Sequence, residues 1–430
     1  MSSPNSRVAI IRGLRTPFAK AGTVYARLDA LALGKLVVAE LVQRSGIDAK
    51  SVQEVIFGNV IPSVKAANLA REIVLGTGLP ASVPGYTVSR ACASSNTAMT
   101  AAADMIFRGY ADTVIAGGAE SLSTVPILFS RAFADALMIA SKSKTVGGKL
   151  GAFRRIRPKD LAPDYPAIAE SSTGLTMGES AEKMAKENSI PREAQDRLAL
   201  QSHTRAAQAT SSGRFKDEVM TVVVPPSFDK VVESDNLIRA DTSLESLSQL
   251  KPVFDRKYGT ITAGNSSPLT DGAAAVLMMS EERAKSLGLT PIGYLKSYAY
   301  AALDPFDQLL QGPVFATPVA LERAKLTIKD IDVIEMHEAF AAQVLSNIQW
   351  LGSKKIAQEK LGRKEPVGDI DPESINLTGG SIALGHPFGA TGARILTTVC
   401  NELQRQSKQY GLITVCAAGG MGSAMVVERE

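Results

Sequence analysis

The side chains best suited to covalent chemistry in this 430-residue chain are few: three cysteines and three histidines. Cys92 has the most suggestive setting, within VSRACASSNTAMTAAADMI (88–106). A β-branched, strand-like run there gives way to small residues and then to an alanine-rich run. Alanine is the best helix former, and Ser and Asn are good N-cap residues. The stretch predicts a strand, a short turn holding Cys92, and a helix starting near Ser94 to Asn96. A thiol at a helix start feels the positive end of the macrodipole, which favours thiolate, the nucleophilic form. The plainer alternative is a small buried cysteine filling space beside a helix. The other thiols are Cys400 and Cys416, and the imidazoles of His203, His337 and His386 are far apart in the chain. No CxxC or HExxH accompanies them, so a structural or catalytic zinc is not expected.

The chain is long enough for two or three domains or one large one. Its 45% apolar and 21% charged content is that of a globular protein. A net charge of +4 gives no argument for nucleic acid and is compatible with a phosphate-bearing ligand. Three cysteines give no disulfide framework and point to a reducing compartment. The start, MSSPNSRVAIIRG, lacks both the apolar core of a signal peptide and an Arg-rich leader. No apolar run approaches the roughly 20 residues that span a bilayer. A cytoplasmic location is expected.

Internal similarity is the strongest organisational signal. LVQRSGIDAKSVQEVIFGNV (41–60) pairs with LERAKLTIKDIDVIEMHEAF (321–340), each a helix tail, a turn and a strand. TVSRACASSNTAMTAAADMIFRG (87–109) pairs with GSIALGHPFGATGARILTTVCNE (380–402), which sets Cys92 opposite His386. DTVIAGGAES (112–121) pairs with LITVCAAGGMG (412–422), which sets Ala116 opposite Cys416. Alternating short apolar runs and helical periods imply βα units feeding a sheet. The chain thus reads as two copies of one α/β half. Residues 1–120 form the first, completed by 270–289, where AAAVLMMS (273–280) is a buried strand. Residues 290–430 form the second, and 121–269 are an insertion without a counterpart. An approximate twofold axis relates equivalent positions, so the two central helix starts can meet.

Five ordered motifs resemble those of thiolases: SRACASS around Cys92, FDRKYGTITAGNSSPLTDGAAA (254–275), HEAFAAQ (337–343), NLTGGSIALGHPFGATGAR (376–394) and CAAGGMG (416–422); the resemblance as a whole runs from about Arg7 to Glu428. The resemblance implies the thiolase fold, two duplicated βαβαβαββ halves making a five-layered α-β-α-β-α core with an inserted loop domain. It implies a 3-ketoacyl-CoA thiolase working by ping-pong catalysis through an acyl-cysteine. Cys92 is then the nucleophile, His386 takes its proton, and Cys416 is the acid/base at the α-carbon. His337 stands where the family usually has Asn, in the hole for the thioester oxygen. The backbone N–H groups of Cys92 and Ala418 form a second hole; Ala is tolerable at 418 unless φ is positive there. Cys400 is read as a core residue. Arg239, Ser246, Ser267 and Met177 match CoA- and substrate-lining positions, with a solvated loop or core role as the alternative for each. Thr176 replaces the His that biosynthetic members carry before that Met, which argues against acetoacetyl-CoA synthesis.

CoA is a substrate in this reading, and no metal or redox cofactor is implied. The HEAF variant and the RIRPKDLAP segment (155–163) look most like the β subunits of trifunctional β-oxidation complexes. That implies a homodimer or dimer of dimers, with a hydratase/dehydrogenase α subunit as a candidate partner. Residues 125–140 are mostly apolar, and seven basic residues with no acid follow in 142–159. This block suits a partner, a membrane surface or CoA phosphates; the alternative is an amphipathic helix covering the catalytic domain, then a solvated loop. Two rivals remain at this level. A ketosynthase-like condensing enzyme would not need a thiol at Cys416. A non-catalytic acyl-CoA-binding subunit would be expected to have lost at least one reactive group.

Overall fold

The computed structural model describes residues 7–163 and 169–430; residues 1–6 of the first half and 164–168 of the insertion lie outside the described residues. The main sheet runs, edge to edge, through Val333–Met336, Tyr410–Ala417, Met421–Glu428, Gly293–Ala302, Val8–Arg15, Thr270–Ser280, Thr113–Glu120, Glu54–Gly58 and Gly85–Val88. Its symmetry shows in the pairing. The seam between Val8–Arg15 and Gly293–Ala302 is antiparallel. Outward from that seam, each side has two antiparallel pairings and then a parallel one. One difference breaks the pattern. The edge strand Gly85–Val88 pairs with Glu54–Gly58, whereas the corresponding place in the other half holds a single parallel bridge between Ile334 and Ile375.

The layers follow from side-chain alternation. Ile115, Ala275 and Leu277 face one outer core, against Leu33, Val37 and Ile73 of the helices Ala30–Ser45 and Leu69–Leu75. Their neighbours Ala116, Val276 and Met278 face the central core, shared with Ile413, Val415 and Met425 from the other half. Helices Ser94–Phe107 and Thr391–Gln406 fill that central core through Met99, Ala103, Ile395 and Val399. Leu412, Ala424 and Val426 point to a second outer core against Val314, Leu321 and Val344. The result is helix, sheet, helix, sheet, helix. Strands covered on both faces carry near-continuous apolar runs, and Thr270–Ser280 is buried at every position.

The two central helices meet at their starts. A Cβ on Gly392 would fall 2.0 Å from Asn96 Oδ1, so only glycine permits this approach. The Ala393 N–H donates to Ser95 Oγ at 3.1 Å. These contacts correct the capping expectation. The N-cap is Ala93, with no side-chain cap. Ser94 Oγ instead accepts from the Arg90 N–H and donates to Ala91 O, while Ser95 and Asn96 serve the opposite half. Cys400 is fully buried on the second helix, as its core reading requires.

The insertion carries helices Arg131–Lys142, Val146–Gly151, Met177–Glu187, Arg192–Ser211 and Leu244–Ser248, and a small ribbon of Val222–Val223 with Val231–Val232. It is pinned to the sheet by buried Arg15. That guanidinium donates to Asp235 at 2.6 and 2.9 Å and to Glu218 at 3.2 Å.

Candidate active site

Three turns converge on one point. The first follows Gly85–Val88 and holds Cys92. Ala91 adopts φ 45°, a left-handed conformation that costs a non-glycine residue roughly 1–3 kcal/mol. The second holds His386 after Gly385, at φ 97°. The third ends strand Val333–Met336, where the His337 N–H donates to Thr414 O at 2.9 Å. The Cys92, His337 and His386 ligand atoms lie within 4.8 Å of one another, and the imidazole centroids are 4.1 Å apart. Folding thus assembles a cluster that the sequence spacing of the histidines did not suggest. His203 is elsewhere, buried on Arg192–Ser211, its Nδ1 accepting from the Arg239 N–H at 3.2 Å.

Both histidines leave Nε2 buried and without a hydrogen-bond partner among the described residues. What each Nε2 can do depends on what holds Nδ1. A hydroxyl has one proton and two acceptor sites. Thr391 Oγ1 gives its proton to Pro387 O at 3.0 Å and lies 2.6 Å from His386 Nδ1. It therefore accepts from Nδ1–H, which makes His386 Nε2 a lone pair: a base. Ser381 Oγ accepts from Arg394 Nη2 at 3.2 Å and lies 2.9 Å from His337 Nδ1. Its proton is available to that nitrogen, which makes His337 Nε2–H a donor. These assignments satisfy both Nδ1 atoms and both hydroxyls, and they give the adjacent rings opposite roles at Nε2.

Burial disfavours charge throughout the site. Burial pushes the Cys92 thiol up to about 12, assisted by Glu120 and opposed by two N–H groups bonded to Sγ, those of Ala418 and Cys92 itself. Burial, then the Arg394 charge, pulls His386 down to about 3. Burial also lowers His337 well below its usual value, with His386 and Arg394 adding to it. Cys416 is raised well above the usual thiol range, first by burial and then by Cys92. Burial thus acts against the helix start, raising the thiol that the dipole and the two N–H groups favour as thiolate, so His386 has a proton to take.

Cys416 ends strand Tyr410–Ala417 and packs with Ala339, Ala342 and Met177. The following turn places left-handed φ at Gly419 and Gly420 (82° and 68°), not at Ala418, so alanine fits there. The Gly419 N–H donates to Glu170 of the insertion at 2.6 Å. The Ser267 N–H donates to Ala339 O at 3.0 Å, beside His337. Arg239 and Ser246 are exposed and not drawn into the cluster; Ser246 bonds only within its own turn, to Ser243.

Residue-type reasoning passed over several supporting groups. Ser381, Thr391 and Arg394 stand in the quoted 376–394 motif; Thr391 holds His386 within one turn, whereas the hold of Ser381 and Arg394 on His337 needs a tertiary contact. Glu120 is buried and raised to about 7, although it accepts from the N–H groups of Val60, Ile61 and Gly389 and from Asn59 Nδ2. It ties the first half to the loop after His386. Glu338 does the same for the His337 turn, accepting from Asn376 at 2.6 Å, Ser202 at 2.7 Å and the Ile382 N–H at 3.1 Å.

A duplicated five-layer fold with a cysteine facing histidine across its twofold is the scaffold of a cysteine-based acyltransferase. The chain belongs to the thiolase family: the family's "Thiolase, N-terminal domain" matches residues 8–282 and its "Thiolase, C-terminal domain" matches 289–429. It is 53% identical over 424 residues to a 3-ketoacyl-CoA thiolase of Escherichia coli (strain 55989 / EAEC), covering 99% of this chain and 97% of the relative. A 3-ketoacyl-CoA thiolase of Shewanella amazonensis (strain ATCC BAA-1098 / SB2B) is 52% identical with the same coverage. The crystal structure of the Bacillus anthracis acetyl-CoA acetyltransferase superposes with a TM-score of 0.84 at 33% identity, over 99% of this chain and 100% of that one.

Proposed function

We propose that this enzyme cleaves 3-ketoacyl-CoA with CoA, giving acetyl-CoA and a shortened acyl-CoA, as a step of fatty-acid β-oxidation. The names of relatives about half identical over the whole chain support the substrate class. The observation that carries the mechanism is the meeting of the Cys92 thiol with two imidazoles, with one ligand atom from each within 4.8 Å of the others and each ring keeping a free, buried Nε2.

Cys92 loses its proton to His386 Nε2 as its sulfur attacks the 3-keto carbon. The N–H groups of Cys92 and Ala418 hold the oxygen that becomes negative. Collapse breaks the Cα–Cβ bond, leaving an acyl-cysteine and the enolate of acetyl-CoA. The His337 Nε2–H donates to that enolate oxygen, and Cys416 gives its proton to the carbon. A second CoA then attacks the acyl-cysteine; its thiol proton restores Cys416, and His386 returns its own to Cys92. The cycle consumes no proton and needs neither a metal nor a redox cofactor. Ser267 and Met177, beside the cluster, line the substrate end, and Arg239 and Ser246 belong to the outer CoA cleft.

The reading extends to assembly. Helix Arg131–Lys142 buries only Ala136, which does not favour its covering the catalytic domain. Phe133 meets Phe129 edge-on and Phe153 at a tilt, so the block packs on itself. Ile127, Phe129, Met138, Ile139, Val146 and Leu150 stay more than half exposed. The seven basic residues are exposed as well. This surface supports docking of a hydratase/dehydrogenase subunit or a membrane contact, on a homodimer or dimer of dimers. No described helix is long and apolar enough to cross a membrane. Three unpaired cysteines support a reducing, cytoplasmic setting.

The test is direct. Thiolysis is assayed on 3-ketoacyl-CoAs of several chain lengths with CoA present. The protein is also incubated with one of them without CoA, and the adduct is mapped by mass spectrometry. Acyl on Cys92 is expected; acyl on Cys416 or Cys400 with Cys92 unmodified overturns the assignment. Cys92→Ser is expected to abolish turnover with the fold intact.

A further inference from the structure

We propose that Cys92, His337 and His386 also form a reversible zinc(II) site, occupation of which silences the enzyme. The chain was expected to hold no zinc because its histidines are distant in sequence and no ligand-spacing motif is present. The fold removes that objection. One thiol and two imidazoles present ligand atoms within 4.8 Å of one another. A tetrahedral zinc with Zn–N near 2.0–2.1 Å and Zn–S near 2.3 Å needs ligand atoms about 3.5 Å apart, which small rotamer changes reach.

Three independent features make this a metal site rather than a chance cluster. First, both Nε2 atoms are buried and unpartnered, on residues 1% and 3% exposed, and ligation would satisfy them. Second, each ring is held at Nδ1 by a hydroxyl, Ser381 Oγ for His337 and Thr391 Oγ1 for His386. Metal-binding histidines characteristically donate their other N–H to an acceptor; Thr391 Oγ1 takes that place for His386 as it stands, and Ser381 Oγ takes it for His337 once its proton moves to Nδ1. Third, Cys92 is only partly buried, so an ion has an entrance on the side where substrate arrives.

Soft thiolate with imidazole selects zinc over magnesium or calcium. The Cys92 S–H bond breaks on ligation, its proton leaves to solvent, and the sulfur bonds the metal. His337 supplies its Nε2 lone pair by moving its proton to Nδ1, where Ser381 Oγ accepts it. Three protein ligands leave a fourth position for water. Ligation occupies the nucleophile, the base and the enolate donor together. The silencing therefore rests on the proposed catalytic roles, but the binding does not.

The experiment uses the full-length protein and two readouts. Cobalt(II) replaces zinc as a visible probe: a thiolate-to-cobalt charge-transfer band and intense d–d absorption are expected at one ion per chain. Added zinc(II) should displace both signals. Zinc affinity is then read by competition with a chromophoric chelator. Cys92→Ser, His337→Asn and His386→Ala should each weaken it by about tenfold or more, a loss of the size seen even when only a ligand's hydrogen-bond partner is changed. Cys400→Ser should leave it unchanged. Thiolysis by the unsubstituted enzyme should fall with zinc and return with EDTA. The proposal is overturned by a His337→Asn variant that binds zinc as tightly as wild type. Undiminished binding after Cys92 alkylation, or no charge-transfer band, also overturns it. Thiolysis measured without metal separates the two ideas: normal turnover with no zinc binding removes this site alone.

Discussion

The turns before Ser94–Phe107 and Thr391–Gln406 are equivalent in the two halves, yet each prepares a different reagent. The first is strained at Ala91 and fixed by Ser94, and it gives the Cys92 sulfur only backbone donors. The second uses Gly385 for its left-handed residue and fixes its imidazole through Thr391. Both lie at helix starts, where the positive dipole end favours an anion and disfavours imidazolium. A helix end is worth roughly 0.3–2 kcal/mol. Raising the thiol from 9.0 to about 12 corresponds to roughly 4 kcal/mol at about 1.4 kcal/mol per pKa unit. Burial therefore decides the resting state, and the dipoles and N–H groups act on the charges that form during reaction. Duplication supplied the meeting place; local hydroxyls supplied the division of labour.

Removing the second thiol tests how that labour is divided. Cys416→Ser should spare acylation of Cys92 by a simple acyl donor but depress cleavage and condensation. General acid–base work is typically worth about 10²–10⁴-fold, so thiolysis within a fewfold of wild type would assign the proton transfer to another group.

The neutral resting pair gives a pH signature. Alkylation of Cys92 by iodoacetamide in the free enzyme should climb about tenfold per pH unit from about pH 6 to 9, because only thiolate reacts. The sign follows from the raised thiol: more hydroxide means more of a scarce anion. A rate already level near neutrality would restore the thiolate expected from the helix start.

The opposite tautomers predict separable defects. Thr391→Val leaves His386 Nδ1–H buried without its acceptor, a loss of roughly 1–3 kcal/mol. Acylation should slow about tenfold to a hundredfold at about 1.4 kcal/mol per decade, with rescue by Thr391→Ser. Ser381→Ala should instead slow the steps that pass through the enolate and spare acylation by a simple donor. Equal defects in both half-reactions from both variants would contradict the assignment.

The smallest effect on chemistry is expected from the insertion. Neutralising Lys142, Lys144, Lys149, Arg154, Arg155, Arg157 and Lys159 should barely change thiolysis of a short 3-ketoacyl-CoA by the isolated subunit. Association with a hydratase/dehydrogenase partner should weaken as if salt had been raised, since exposed charges are screened beyond about 8–10 Å at physiological ionic strength. A severalfold loss of CoA affinity with the partner still bound would move the run into the substrate cleft.

The sequence alone determined the duplication, the order of the motifs and the pairing of Cys92 with His386. Those depend on local periodicity and on residues that recur in matched order. It also marked the buried run 273–280, because a strand covered on both faces is largely apolar; that the strand begins earlier, with Thr270 and Asp271 buried too, came from the fold. Tertiary structure alone decided the rest. The approach of His337 to His386 joins positions 49 residues apart. The proton on the His337 ring is set by Ser381 and Arg394, which come from another part of the chain, whereas Thr391 acts on His386 within one turn. The charge of the nucleophile is set by how much protein surrounds it, a property of the whole fold that no local motif encodes.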